Sequence, residues 1–228
     1  ILATQLFPGQ VPFHVPAAYL VTAICAALLF FLSILLHELG HSIVSQRCGI
    51  PVPRITLLFI GGLAEISREP DDPKSELKIA LGGPAVTVLL IVIYAGAAFL
   101  FYLPRWHLAQ TVCEWLAASN LALLVFNMIP GYPLDGGRVL RALLWARSGR
   151  LGRATYITSR IAIGFSWILV ALGAWLLLDR HWNGLVFFII ALFLRSAARS
   201  GYQSAIQRET LGDLPVRALM SPNAACLP

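Results

Sequence analysis

His37, Glu38 and His41, in the stretch "HELGH", are the side chains whose types and spacing could do chemistry. On a helix, positions four apart lie on one face, so both imidazoles can aim a nitrogen at a single metal ion. Glu38, beside them, reaches a water on that ion rather than the ion itself. Two ligands and a general base in this order are the arrangement of zinc-dependent hydrolysis. Three fixed positions in five recur by chance, so the surroundings decide what the pattern is worth. Ala17–Leu36, just before it, carries no charged residue. Ionisable side chains in such a segment are costly and face a bundle interior or a watery cavity, marking function. A helix end with polar residues at the interface is the bland alternative. It leaves three ionisable groups in five residues without a purpose.

A catalytic zinc takes three protein ligands and keeps a fourth position for water. The extended pattern with a third histidine is excluded, because Val44 and Arg47 stand where its glycine and histidine would be. Two carboxylates remain. Glu65 has the spacing of enzymes whose third ligand is a downstream glutamate, but it follows Gly61-Gly62 in a strand-like run rather than on a second helix. Asp135, in "PGYPLDGGR", is the stronger candidate. Pro130 and Pro133 stop a helix, and Gly136-Gly137 lets the backbone turn sharply after the aspartate. Irregular backbone at membrane depth is tolerated where it is buried in protein or lines a cavity. A plain Asp-Gly turn at the interface is the competing reading, and it leaves the zinc short of a ligand.

The elements that must position these residues are apolar. The chain is 58% hydrophobic and 12% charged, against about 25% charged in ordinary soluble domains. Ala17–Leu36, Ile79–Leu103 and Ile161–Leu178 are free of charge, and each reaches the roughly 18 residues of a candidate spanning helix. His107–Ile129 is interrupted by Glu114 alone, and Trp182–Leu194 ends at Arg195, whose side chain can snorkel to the interface. The chain therefore reads as an all-α polytopic membrane protein with five transmembrane helices. Threading them alternately gathers all of the 17 Lys and Arg except Arg105 and Arg180 on one side. Positive residues collect on the cytoplasmic side, so the motif and the C-terminus face the cytoplasm. That bias also accounts for the net charge of +6 without any nucleic acid. The four cysteines are scattered, with no CxxC pair; Cys25 and Cys113 fall in helices and read as small buried apolar residues.

Between the first two spans, "RITLLFIGGLAEIS" is two β-prone runs flanking Gly61-Gly62, and it reads as a small membrane-associated β-hairpin. Its edge could accept an unwound substrate strand, which makes Gly61 and Gly62 candidates for substrate binding. "NMIPGYPLDGGRVLRALLWARSGRLGR" is a proline- and glycine-broken entry followed by a basic amphipathic helix. Residues 1–16, with three prolines, read as an extramembrane loop; residues 17–209 follow as the membrane-embedded core.

"HELGH" on a membrane helix, "NMIPGYPLDGGR" at the end of a later one and "GGP" at Gly82–Pro84 between them resemble the site-2 protease family of intramembrane zinc metalloproteases. The likeness covers nearly the whole chain. It implies that His37, His41 and Asp135 hold one Zn2+, that Glu38 activates the water, and that Asn127 positions the substrate carbonyl or stabilises the tetrahedral intermediate. For Asn127, a buried amide bonded between helices is the competing reading. The resemblance further implies a membrane-spanning protein substrate, regulated intramembrane proteolysis, and a place in a bacterial or archaeal cell membrane. Two departures stand out. The family core has six helices, so a sixth is expected before Ile1. No PDZ-like stretch is visible; instead "VRALMSP", within residues 210–228, resembles the opening of a cystathionine-β-synthase-type (CBS) domain, which implies a regulatory ligand.

Two other function classes compete. An ion transporter would use His37, His41 and Asp135 as part of a path, but a path needs polar residues through the full thickness, and the other spans are almost purely apolar. A metal-binding membrane protein without catalysis would have no need of Glu38.

Overall fold

The computed structural model describes residues 2–11, 16–52, 54–58, 61–65, 70–103 and 106–211. Leu2–Leu6 forms a π-helical turn that runs into a short helix, α1 (Phe7–Gln10). The first spanning helix is α2 (Pro16–Arg47), followed by two short strands, β1 (Arg54–Leu58) and β2 (Gly61–Glu65). Then come α3 (Pro73–Tyr102), α4 (His107–Asn127), α5 (Asp135–Ser148), α6 (Leu151–Leu178) and α7 (Gly184–Leu211). Five of these helices, α2, α3, α4, α6 and α7, have the length and apolar character to cross a membrane. α5 is the basic amphipathic helix.

The spanning helices outrun the apolar segments that identify them. α2 continues past Leu36 to Arg47, and α6 begins at Leu151, well before Ile161. Apolar composition marks only the part of a helix in lipid, whereas its backbone hydrogen bonding continues through polar residues of good propensity. The HELGH residues thus lie inside an unbroken helix rather than at its end. Local chemistry sets other boundaries. Asp72 caps α3, its Oδ1 accepting from the backbone N–H of Lys74 and Ser75 at 2.9 Å each, with Pro73 in the first helical position. Gly149, at φ 67°, closes α5 in the left-handed conformation that glycine adopts without strain.

Part of the N-terminal stretch expected as a loop is helical instead. Phe7 is fully buried, packed with Tyr19 and Ala26 of α2 and with Leu108, Val112 and Trp115 of α4. Pro8 is no obstacle there, because it sits at the start of α1, where no intrahelical N–H is needed.

β1 and β2 pair antiparallel, Arg54 opposite Glu65 and Leu58 opposite Gly61. Gly61 and Gly62 therefore belong to the second strand and not to the turn, where the sequence pattern had put them. Phe59 and Ile60, between the strands, lie outside the described residues. With no third strand among the described residues, the pair is a local feature of a nearly all-helical chain rather than a sheet layer.

Packing is arranged for a lipid surround. α3 is central, touching α2, α4 and α5; α5 bridges to α6, which pairs with α7. Leu28, Val92, Phe99 and Ile168 are exposed, while Ser33, Thr87, Asn120, Thr155 and Thr158 are buried. Large apolar side chains outside and small polar ones inside are what helix association in hydrocarbon favours. α2 and α3 cross in close backbone contact. A Cβ on Gly40 would lie 2.5 Å from the Gly82 carbonyl oxygen, and one on Gly82 would lie 2.7 Å from that of Gly40. Only glycine at both positions lets the two backbones touch, and this contact brings α3 against the histidines.

Candidate metal centre

His37 and His41 project from α2 toward α3 and are 2% and 5% exposed, so their polar atoms must find partners inside the protein. His37 Nδ1 lies 2.7 Å from Thr87 Oγ1, and His41 Nδ1 lies 2.7 Å from the Ile79 carbonyl oxygen. A carbonyl can only accept, so His41 Nδ1 carries a proton. Thr87 Oγ1 donates to the Gly83 carbonyl at 3.3 Å, which leaves its lone pairs to accept from His37 Nδ1–H. The Gly83 backbone N, 3.3 Å from His41 Nδ1, is then a close approach and not a hydrogen bond, since a protonated Nδ1 has no lone pair to offer. Both imidazoles are thereby fixed as tautomers with a bare Nε2. Pinning the far nitrogen in this way is how proteins orient metal-binding histidines.

Asp135 completes the group. It is the first residue of α5, delivered by the turn that follows α4. Pro130 and Pro133 exclude continuation of α4 beyond Asn127, and the turn satisfies its own backbone. Gly131 N–H donates to Ile129 O at 2.7 Å, Leu134 N–H to Gly131 O at 3.0 Å, and Tyr132 N–H to Thr158 O of α6 at 3.3 Å. Gly136 and Gly137 let α5 start in direct contact with this turn. A Cβ on Gly136 would collide with the Met128 carbonyl, and one on Gly137 with the backbone of Gly131 and Tyr132.

Acceptor atoms of three side chains now converge. His37 Nε2 is 3.1 Å from Asp135 Oδ2, His41 Nε2 is 3.2 Å from Asp135 Oδ1, and the two Nε2 atoms are 3.2 Å apart. Bare nitrogens and a carboxylate repel at that range unless a cation lies among them. A tetrahedral ion with bonds of about 2.0 Å has ligand atoms roughly 3.3 Å apart, so the spacing fits zinc. A metal ion takes a carboxyl group as its carboxylate, so Asp135 would serve such an ion as an anionic ligand. Among the described residues, His37, His41 and Asp135 are the one group able to hold a metal. Gly83 makes room for it: a Cβ there would lie 2.7 Å from His37 Nε2 and closer still to His41 Nε2.

The remaining candidates fall as follows. Glu38 is half-buried on α2, next to His37 in the chain. Asn127 is the last residue of α4, one before Met128, whose carbonyl abuts Gly136. Gly61 and Gly62 lie in β2, which runs alongside α2. Glu65 ends β2, and its side chain lies outside the described residues. His107 lines an apolar cavity of about 650 Å³ with Val21, Cys25 and Trp106, near the α3–α4 connection. His181 is exposed beside Asp179 at 3.3 Å. Neither belongs to the metal group, and His14 lies outside the described residues.

Sequence reasoning did not find Glu76 and Arg141. These side chains, 1% and 2% exposed, form an ion pair between α3 and α5, with Arg141 Nε donating to Glu76 Oε1 at 2.9 Å. Partners 65 residues apart leave no trace in local spacing.

Known proteins resemble this chain in sequence and in fold. The sequence pattern of peptidase family M50 matches residues 25–107 and 102–171. The sll0528 protein of Synechocystis sp. is 35% identical over 214 residues, covering 91% of this chain and 55% of its own length. Zinc metalloprotease MJ0392 of Methanocaldococcus jannaschii is 31% identical over 198 residues, 86% of this chain and 55% of its own. The chain thus spans about half the length of the curated relatives it matches. The solved structure of a site-2 protease from Methanocaldococcus jannaschii superposes with a TM-score of 0.58 at 31% identity, covering 77% of this chain and 76% of that one.

Proposed function

The chain belongs to peptidase family M50, and on that premise we propose that it is the membrane-embedded core of a zinc endopeptidase that cuts membrane-spanning proteins near the cytoplasmic leaflet. One observation carries the proposal: two imidazoles with their Nδ1 protons tied down present bare Nε2 atoms to a buried carboxylate, with Glu38 alongside. Two histidines and a carboxylate can also hold iron(II); Glu38 in the HELGH order and the zinc metalloprotease relative favour zinc.

His37, His41 and Asp135 would hold the ion. Zinc would supply Lewis acidity there, lowering the pKa of a water and polarising a carbonyl. Glu38 takes the proton from the attacking water as its oxygen bonds to the carbonyl carbon, and returns it to the nitrogen that leaves. Asn127, at the end of α4 beside the turn that delivers Asp135, offers an amide to the carbonyl oxygen. Substrate must arrive unwound, because a helix hides its carbonyls in its own hydrogen bonds. The freed backbone groups need partners in lipid, and the edge of the membrane-associated β1–β2 pair supplies them. Gly61 and Gly62, without side chains, leave that backbone open to approach.

The site and the C-terminus face the cytoplasm, as the Lys and Arg distribution requires. Residues 17–209 are the protease core, and residues 210–228 open a CBS-type domain whose ligand regulates cleavage; residues 212–228 lie outside the described residues. The proposal is tested by incubating the purified chain with single-span substrates. Cleavage should stop with a chelator and return with zinc, and Glu38→Gln should keep its zinc and cleave nothing. Normal cleavage by Glu38→Gln would contradict the mechanism.

A further inference from the structure

We propose that the buried Glu76–Arg141 ion pair is a positioning device for the metal site. It fixes α5, and with it Asp135, against the turn of α3 that orients His41. The inference rests on the reading that His37, His41 and Asp135 hold the ion.

The pair joins two elements that each bear on the metal. Glu76 lies in the first turn of α3, three residues before Ile79, whose carbonyl holds His41 Nδ1–H. Residues three apart share a helix face, so the carboxylate and that carbonyl belong to one rigid turn. Arg141 lies on α5, whose first residue is Asp135, about 9 Å away along the axis at roughly 1.5 Å per residue. Arg141 reaches Glu76 Oε1 through both Nε and Nη2, and Arg138 Nε approaches the same oxygen at 3.7 Å.

The other side of the guanidinium is also constrained. Its carbon lies 4.7 Å from the centroid of the Tyr132 ring, and a Cβ on Gly201 of α7 would collide with that ring. Tyr132 belongs to the turn that delivers Asp135. A fork-shaped donor held by carboxylate and ring fixes orientation as well as distance.

Stability alone does not call for such a pair. Taking two charges out of water is costly, and well-packed apolar residues of similar volume are often as stable or more so. A metal site differs, because ligand distances must hold to within about 0.2 Å. What the ion pair contributes is register between α3 and α5.

The test uses the whole chain in lipid nanodiscs, reading zinc affinity by competition with a chromophoric chelator and the visible spectrum of the cobalt-substituted protein. Glu76→Gln removes the anion, Arg141→Lys keeps the charge but loses the fork, and Glu76→Leu with Arg141→Met replaces both by apolar groups. We expect zinc affinity to fall about 10- to 100-fold in each, the range for residues behind metal ligands, with an altered cobalt spectrum. The double variant should keep that deficit although its melting temperature matches wild type. Wild-type affinity and spectrum in the double variant or in Arg141→Lys would show that the pair only holds the fold, and would overturn the inference. Absence of zinc binding by the wild type, or binding unaffected by His37→Ala, would instead refute the metal-site reading.

Discussion

Gly83→Ala changes no charge, no ligand and no hydrogen-bonding side chain, yet it should disable the metal site. α3 passes the two imidazoles at Gly83. The added carbon would stand 2.7 Å from His37 Nε2, where ordinary contact begins at 3.4 Å, so that ring must yield by about 0.7 Å and His41 by more. Neither can move freely, since His37 Nδ1 is held by Thr87 and His41 Nδ1 by Ile79 O, each at 2.7 Å. Metal sites tolerate about 0.2 Å in ligand distance. At least one ligand is lost, and zinc affinity should fall about 100-fold or more, about 2.8 kcal/mol at 1.4 kcal/mol per decade. Overpacking adds about 1–3 kcal/mol of lost stability, so melting must be followed beside a zinc competition titration. Gly96→Ala is the control: it lies in the same helix, with nothing within 4 Å of its Cβ position. It should leave zinc binding untouched and raise stability by about 0.4–1 kcal/mol. Wild-type zinc affinity in Gly83→Ala would refute the placement of the imidazoles against α3.

Two further predictions follow from the geometry and the charge pattern. Thr87→Val keeps the volume but removes the acceptor of His37 Nδ1–H, so zinc affinity should drop about 10- to 100-fold while the metal-free protein still folds; unchanged affinity in a titration would show that Thr87 does not orient the ring. In a background without native cysteines, a cysteine at Arg147 should label with an impermeant reagent only from the cytoplasmic side and one at His181 only from the other; labelling of both from one side would reverse the orientation.

The candidate metal site was legible because its parts are unusual where they occur. His37, Glu38 and His41 interrupt a charge-free run, and Asp135 sits in a proline- and glycine-broken turn where a helix would otherwise continue. The spans were legible for the same reason: lipid demands long apolar runs. What escaped notice depends on contacts between distant segments. Thr87 and the Ile79 carbonyl orient the imidazoles from a helix that reads as uniformly apolar. Glu76 looks like one more charge in a polar turn, and Arg141 like one more basic residue on an amphipathic helix; only the fold brings them together out of water. The glycines misled in one place and understated their role in another. Gly61-Gly62 suggested a turn but lies in a strand, whereas Gly40, inside HELGH, and Gly82, inside GGP, form a single backbone-to-backbone contact.

The central claim, that His37, His41 and Asp135 form the zinc site, is tested most directly by metal analysis with X-ray absorption at the zinc edge on the purified chain. The account predicts one zinc per chain, a shell containing two imidazole nitrogens and carboxylate oxygen, loss of the metal in Asp135→Ala and its retention in Glu65→Ala. Zinc stripped by Glu65→Ala but kept by Asp135→Ala would contradict it.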